Sequence, residues 1–466
     1  MQSPRPDHNA CRAAIADLQQ SLPGLVETGE GICRQHAHTL TWIECQPPDA
    51  VVFARSTVDV VEVVRIAARH RVPIIPFGAG TSLEGHVNAP LGGISLDLSR
   101  MSEILRVDTG DLDCTVEAGC PRGKLNAYLR DTGLFFPVDP GTEEATIGGM
   151  ASTRASGTTA VRYGTMRDNV VAVKAVMANG EVIDTASRAR KSSAGYDLTR
   201  LLVGAEGTLG IITEVTLRLR GVPERVVATV AAFPTLEAAC NTTMAAMAMG
   251  LGLARIELLD PVVLGAVNAH SGLSLAEVPT LFIEFHGAGA AVEEEAAMFA
   301  ELADGEGALS LAAAADETER RKLWKARHDA LWAVREAWPG RTPLITDVCV
   351  PISRLAECVR ETEADIEASG LIAPIVGHVG DGNFHAIVMH EPGDPAERGR
   401  IAAFSSRLAE RAIAMEGTCT GEHGIGQGKM NYLRMELGAG VDVMACIKQA
   451  LDPDGIFNPG KIISRC

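Results

Sequence analysis

The dipeptide Asp381-Gly382 sits at the centre of His378-Val379-Gly380-Asp381-Gly382-Asn383-Phe384-His385. Asp-Gly is a strong signal for a two-residue hairpin turn, because type I′ geometry needs positive φ at both central positions. A turn there predicts a register: Gly380 opposite Asn383, Val379 opposite Phe384, His378 opposite His385. Directly opposed residues project from one sheet face with Cβ atoms roughly 5 Å apart. Two imidazoles so placed can hold one metal ion. The plainer reading is a hairpin that happens to carry two histidines, and this stretch alone does not choose between them.

Composition narrows the classes of function. Aromatic residues make up only 4% of the 466, so base-stacking platforms are lacking. A net charge of −17 argues against a phosphate-backbone partner and suits a basic protein partner. The 11 cysteines include no C-x-x-C pair, which disfavours iron–sulfur clusters and zinc ribbons. No N-terminal apolar region and no apolar run of about 18 residues is present, so no signal peptide or membrane span is expected. Reduced thiols and the polar N-terminus predict a cytoplasmic protein, with peripheral attachment to the inner membrane as the variant.

Three stretches of small residues occupy the first half. Ser56 and Asp59 open a predicted helix to His70, followed by a short buried strand at 72–76. Next comes Phe77-Gly78-Ala79-Gly80-Thr81-Ser82-Leu83-Glu84-Gly85-His86. Its glycines suit an anion cradle. It fails as a dinucleotide fingerprint, because Leu83 replaces the third glycine and a strand pattern, not a helix, follows. The second stretch runs from Pro137 to Gly157 and the third from Leu202 to Thr213. Such runs build a poor core but let backbone lie against a large flat ligand. Val170 to Ile183 reads as a hairpin turned at Asn179-Gly180.

These stretches resemble the FAD-binding domain of the vanillyl-alcohol-oxidase type. The resemblance assigns Pro76, Gly78, Ala79, Gly80, Thr81 and Ser82 to the pyrophosphate region. It lays Pro140, Gly141, Thr146, Gly148, Gly149 and Ser152 along the flavin and ribityl chain, and sends Gly157, Glu206, Gly210 and Ile212 to the adenine half. Some relatives attach the flavin through a histidine. His86 lies near that place in a different motif, so the FAD is expected to be non-covalent.

After a boundary at Gly221-Val222-Pro223, strands and helices alternate in a ferredoxin-like pattern. A single helix is predicted at about 316–338, carrying Arg327 and Leu331 on one face, and a strand at 344–350. The loop Gly421-Glu422-His423-Gly424-Ile425-Gly426 exposes a carboxylate beside an imidazole, and the chain closes on Asn458-Pro459-Gly460-Lys461. The predicted organisation is α+β. A helical lead-in at 1–45 precedes a two-subdomain FAD-binding domain at 46–222. A substrate and metal domain follows at 223–420, and a C-terminal helical return at 421–466 brings Asn458 to the flavin.

The histidine hairpin, the Glu-His loop and the terminal motif together resemble the FAD-linked D-2-hydroxyacid dehydrogenases. The residue types fit that chemistry. His378, His385 and Glu422 offer two imidazoles and a carboxylate to a divalent ion, zinc or manganese. His423 is the candidate base, Arg327 the carboxylate clamp, and Asn383 a residue that orients substrate or flavin. The resemblance implies oxidation of a small 2-hydroxy acid to the 2-oxo acid, with electrons leaving to a quinone or cytochrome. Hydroxyglutarate-selective members carry a lysine where this chain has Ile345, which favours D-lactate; D-2-hydroxyglutarate and glycolate are the alternatives. A non-catalytic FAD subunit and a metal-dependent hydrolase are the rival classes, and a homodimer is left open.

Overall fold

The computed structural model describes residues 8–463. It divides into two compact units. One comprises Met1–Ser156, Gly164–Val222 and Glu422–Cys466; the other comprises Gly157–Tyr163 and Pro223–Gly421.

In the first unit, strands Ala50–Phe53, Ile94–Asp97 and Ile74–Phe77 run parallel, with Val26–Glu27 antiparallel at the edge. Ser56 caps helix Thr57–His70 by accepting the Asp59 amide at 3.2 Å, and Asp59 accepts the Arg55 amide at 3.0 Å. Val60, Val63, Val64 and Ala67 repeat at helical spacing and are fully buried. A second, antiparallel sheet orders Ile104–Asp108, Asp113–Glu117, Ile211–Arg218, Val170–Val176 and Val182–Asp184. One apolar core spans both sheets and takes in Ile456 and Phe457 from the C-terminal segment.

The second unit is built on an antiparallel eight-stranded sheet. Its order is Ser310–Ala313, Arg225–Ala232, Thr280–Gly287, Leu253–Leu259, Ile375–His378, Asn383–His390 and Thr342–Ile345, with Val348–Cys349 also pairing Asn383–His390. Side chains alternate between its faces. One face meets helix Ala291–Gly305, where Phe285 stands edge-on to Phe299. The other carries Leu259, Phe282, Val376, Ile387 and Met389 under helices Pro261–Ser271, Glu317–His328 and Ala330–Ala337.

Three sequence expectations need correction. The helix predicted at 316–338 breaks at Asp329, where the His328 ring bonds the Trp324 carbonyl at 2.7 Å. The strand predicted at 344–350 is interrupted at Thr346 and Asp347, where the Thr346 carbonyl takes the His385 ring and the Ala386 amide turns to Thr346 Oγ1. The hairpin register is also different: His378 pairs with Asn383, and His385 pairs with Val376. Val379 and Gly380 leave the ladder in a short 3-10 turn, with Val379 fully buried. A Cβ at Gly380 would lie 2.6 Å from Ile256, so packing, not type I′ geometry, sets the loop. The register has moved by two residues. Because strand side chains alternate with period two, both histidines still share one face.

Candidate active site

The three small-residue stretches meet within the first unit. A Cβ at Gly78 would lie 2.3 Å from Thr146 Oγ1, which places the first stretch against the second. A Cβ at Gly207 would lie 2.4 Å from Pro76 Cγ, placing the third against the first. The amides of Gly204 and Glu206 donate to Ala151 and Ser152 carbonyls, both at 2.9 Å, joining the third to the second. Gly80 turns the chain with φ +66°. Ser82 Oγ is buried without a hydrogen-bond partner, an orphaned donor two residues after this turn. This arrangement fits a large anionic cofactor held by close backbone. Gly148 is pressed against Ala118, while Ala79, Gly141 and Gly149 are exposed. Ile212 packs into the apolar core, and Gly157 falls in the segment that belongs to the second unit.

Glu206 has a further duty. Its carboxylate accepts the amides of Ile425 at 2.7 Å and Gly426 at 2.8 Å. It therefore holds the loop that carries Glu422 and His423. Asn458 Nδ2 donates to the carbonyls of Glu206 at 2.7 Å and His86 at 3.2 Å. Glu84, unmarked by the sequence reading, also supports this loop: Lys429 Nζ lies 3.2 Å and His423 Nδ1 3.9 Å from its Oε1. Burial opposes the charge of Glu84, but Lys429 and His423 outweigh it and hold the carboxyl below its ordinary range. Lys461 is almost fully buried, with Nζ donating to the Asn88 carbonyl at 2.7 Å; burial pushes its pKa down to about 7.

In the second unit, the helix-covered sheet face turns polar at one end. The rings of His378 and His385 stand edge to face with centroids 5.5 Å apart. His378 Nδ1 donates to both oxygens of Glu257, at 2.8 and 2.9 Å. His385 Nδ1 donates to the Thr346 carbonyl at 2.9 Å. An N–H at Nδ1 places the lone pair on Nε2, so both rings are set to coordinate through Nε2. Asp347, 1% exposed, accepts Asn383 Nδ2 at 2.8 Å and Thr420 Oγ1 at 2.7 Å. Asn383 Nδ2 also donates to the Val348 carbonyl at 2.7 Å, so its amide ties the hairpin to the strand interruption. Small size is required beside it, because a Cβ at Gly421 would lie 2.2 Å from Asn383 Nδ2.

Arg327 is expected as an open clamp, but it is buried and already paired. Its Nε donates to Glu257 Oε2 at 3.0 Å, and Nη2 reaches the same oxygen. Burial works against the charge of Glu257, and His378 and Arg327 outweigh it, keeping the carboxyl below its usual range. The sequence reading missed Glu257. Its signal was an acid in Leu253-Ala254-Arg255-Ile256-Glu257-Leu258-Leu259, a central strand apolar apart from Arg255 and Glu257.

Comparison with known proteins identifies the family. The model of the FAD-linked oxidase C-terminal domain matches residues 222–462, and that of an FAD-binding domain matches 48–186. The chain is 49% identical over 442 residues to "Probable D-lactate dehydrogenase, mitochondrial" of Danio rerio, covering 94% of this chain and 89% of that one. It is 46% identical to "D-lactate dehydrogenase [cytochrome], mitochondrial" of Arabidopsis thaliana, covering 89% and 73%. It is 36% identical to "Glycolate oxidase subunit GlcD" of Bacillus subtilis, covering 90% and 89%. Among solved structures, p-cresol methylhydroxylase matches with a TM-score of 0.83 at 16% identity, covering 100% of this chain and 99% of that one, a likeness of fold.

These relatives correct the cytoplasmic expectation. The eukaryotic relatives carry "mitochondrial" in their names. A polar N-terminus is no argument for the cytosol, since mitochondrial leaders are amphipathic rather than apolar. Among the described residues, no helix is long and apolar enough to cross a membrane.

Proposed function

Since the chain belongs to the FAD-linked oxidases, we propose that it oxidises a D-2-hydroxy acid, D-lactate foremost, to the 2-oxo acid, using FAD and one divalent ion. The carrying observation is the pair His378 and His385, adjacent on one sheet face with Nδ1 of each already bonded. Glu422, which follows Gly421 directly in the chain, is the third ligand in this reading. When bound, FAD supplies the acceptor for the Cα hydride, and zinc or manganese supplies the charge that lowers the pKa of the substrate hydroxyl.

The chain's own residues do the rest. His423 takes up the hydroxyl proton on a ring nitrogen. Arg327 has Nε and Nη2 committed to Glu257, so Nη1 is its donor for the substrate carboxylate. Asn383 and Asp347 brace the hairpin that carries both histidines. Pro76 to Ser82 and Thr146 to Ser152 hold the cofactor.

A small substrate fits the residues around the strand interruption. Ile345 offers no cation to a second carboxylate, and nearby Arg341 is taken by the Met389 carbonyl at 3.0 Å and Glu397 at 2.9 Å. A cytochrome is the electron acceptor in this reading, because three relatives are named for that acceptor and a net charge of −17 suits a basic partner.

The test is anaerobic mixing of the FAD-loaded protein with D- and L-lactate, glycolate and D-2-hydroxyglutarate. D-lactate is expected to bleach the flavin fastest. Bleaching by none of these acids would end the proposal, and fastest bleaching by D-2-hydroxyglutarate would replace the substrate.

A further inference from the structure

Glu257 lies at mid-strand in Leu253–Leu259 with no exposed surface. A carboxylate at such a position is costly to bury unless its charge is matched. Both its oxygens lie within 2.9 Å of His378 Nδ1, and Oε2 also takes the fork of Arg327. The two histidines are therefore supported differently. His385 Nδ1 hydrogen-bonds a backbone carbonyl at 2.9 Å and has the Asp347 carboxylate only at 3.7 Å, while His378 donates directly to both oxygens of a carboxylate at 2.8 and 2.9 Å. A charged acceptor at Nδ1 fixes the ring more firmly and makes Nε2 a stronger donor to a cation. The same carboxylate sets where the Arg327 guanidinium stands.

We propose that Glu257 is a positioning residue that couples the metal-holding His378 to the substrate-binding Arg327 through one shared carboxylate. The proposal rests on the metal-dependent reading above. Through Glu257, the ring that faces the ion and the guanidinium that faces the substrate carboxylate are kept in one register. A shift of either partner is passed to the other across a single side chain.

The experiment is calorimetric titration of manganese(II) into chelator-stripped, FAD-loaded protein, with KM and kcat for D-lactate measured beside it. Glu257→Gln is expected to weaken manganese binding about ten- to hundred-fold and to raise KM, while FAD content stays at the parental level. The double variant Glu257→Gln/Arg327→Met removes both buried charges, and it carries the test if the single variant does not fold. Manganese binding is expected to stay weak in it, because His378 still lacks its carboxylate. Parental affinity in Glu257→Gln, or its return in the double variant, would overturn the proposal by leaving Glu257 only the task of neutralising Arg327. If the parent protein itself takes up neither manganese nor zinc, the metal-dependent reading fails first and this proposal with it.

Discussion

One face of the eight-stranded sheet is apolar at one end and polar at the other, under the same helices. At the apolar end, Leu259, Phe282, Val376, Ile387 and Met389 pack beneath Pro261–Ser271 and Ala330–Ala337. At the polar end, His378, His385, Asn383 and Glu257 occupy the same alternating positions on neighbouring strands. The border is sharp: Phe282 pairs directly with Glu257. The apolar end is stabilised by area removed from water. The polar end is held by matched charges and directed hydrogen bonds, an arrangement that costs stability when any one partner is lost. The difference separates what keeps the fold from what performs the chemistry.

That separation can be broken by mutation. His378→Ala is expected to lower flavin reduction by D-lactate about 10³-fold or more, since the ion's charge stabilisation is worth several kcal/mol, and to lower the melting temperature less than Phe282→Ala does, because Arg327 still pairs the buried Glu257. Activity and calorimetric scans on the same preparation check this. Phe282→Ala, on the strand beyond Glu257, is expected to do the reverse. It should cost about 3–5 kcal/mol of stability, while kcat/KM of the folded fraction stays within about twofold of the parent. Denaturant titration beside steady-state assays tests it. A large loss of kcat/KM there would erase the distinction between the ends.

Thr346→Val sharpens the border. The Ala386 amide would lose its acceptor, Thr346 Oγ1 at 2.8 Å, at a cost of about 1–3 kcal/mol. The carbonyl that holds His385 remains, so manganese affinity is expected to fall only slightly. The last prediction concerns the first unit. Lys461 has a folded-state pKa depressed to about 7 from 10.5, so the unfolded chain binds more protons between those values. Stability contributed by this site therefore rises with pH from 7 to 10.5. The melting temperature of the parent, relative to Lys461→Met, is expected to climb across that window, and a flat difference would contradict the burial argument.

Much of this was legible in the sequence, for identifiable reasons. Apolar periodicity found helix Thr57–His70, and small-residue runs marked the three loops that converge on Thr146, Pro76 and Ser152. The histidine pair was found despite a wrong register, because a two-residue slip preserves the face. What stayed hidden depends on contacts across the chain. Arg327 reads as a carboxylate clamp, but its pairing with Glu257, 70 residues earlier, is not legible there. The break at Thr346 and Asp347 is invisible in a run of β-favouring residues, because it is set by His385 and Asn383 on the partner strand. Glu206 reads as part of a cofactor loop, yet its carboxylate grips amides more than 200 residues later, at Ile425 and Gly426.

The most direct test compares flavin reduction by D-lactate in chelator-stripped protein with the same protein after manganese is restored. The account expects reduction to fall to a small residue on stripping, with FAD still bound, and to recover on reloading. Reduction at the full rate in stripped protein, with metal content shown to be negligible, would contradict the assignment of the polar end of the sheet.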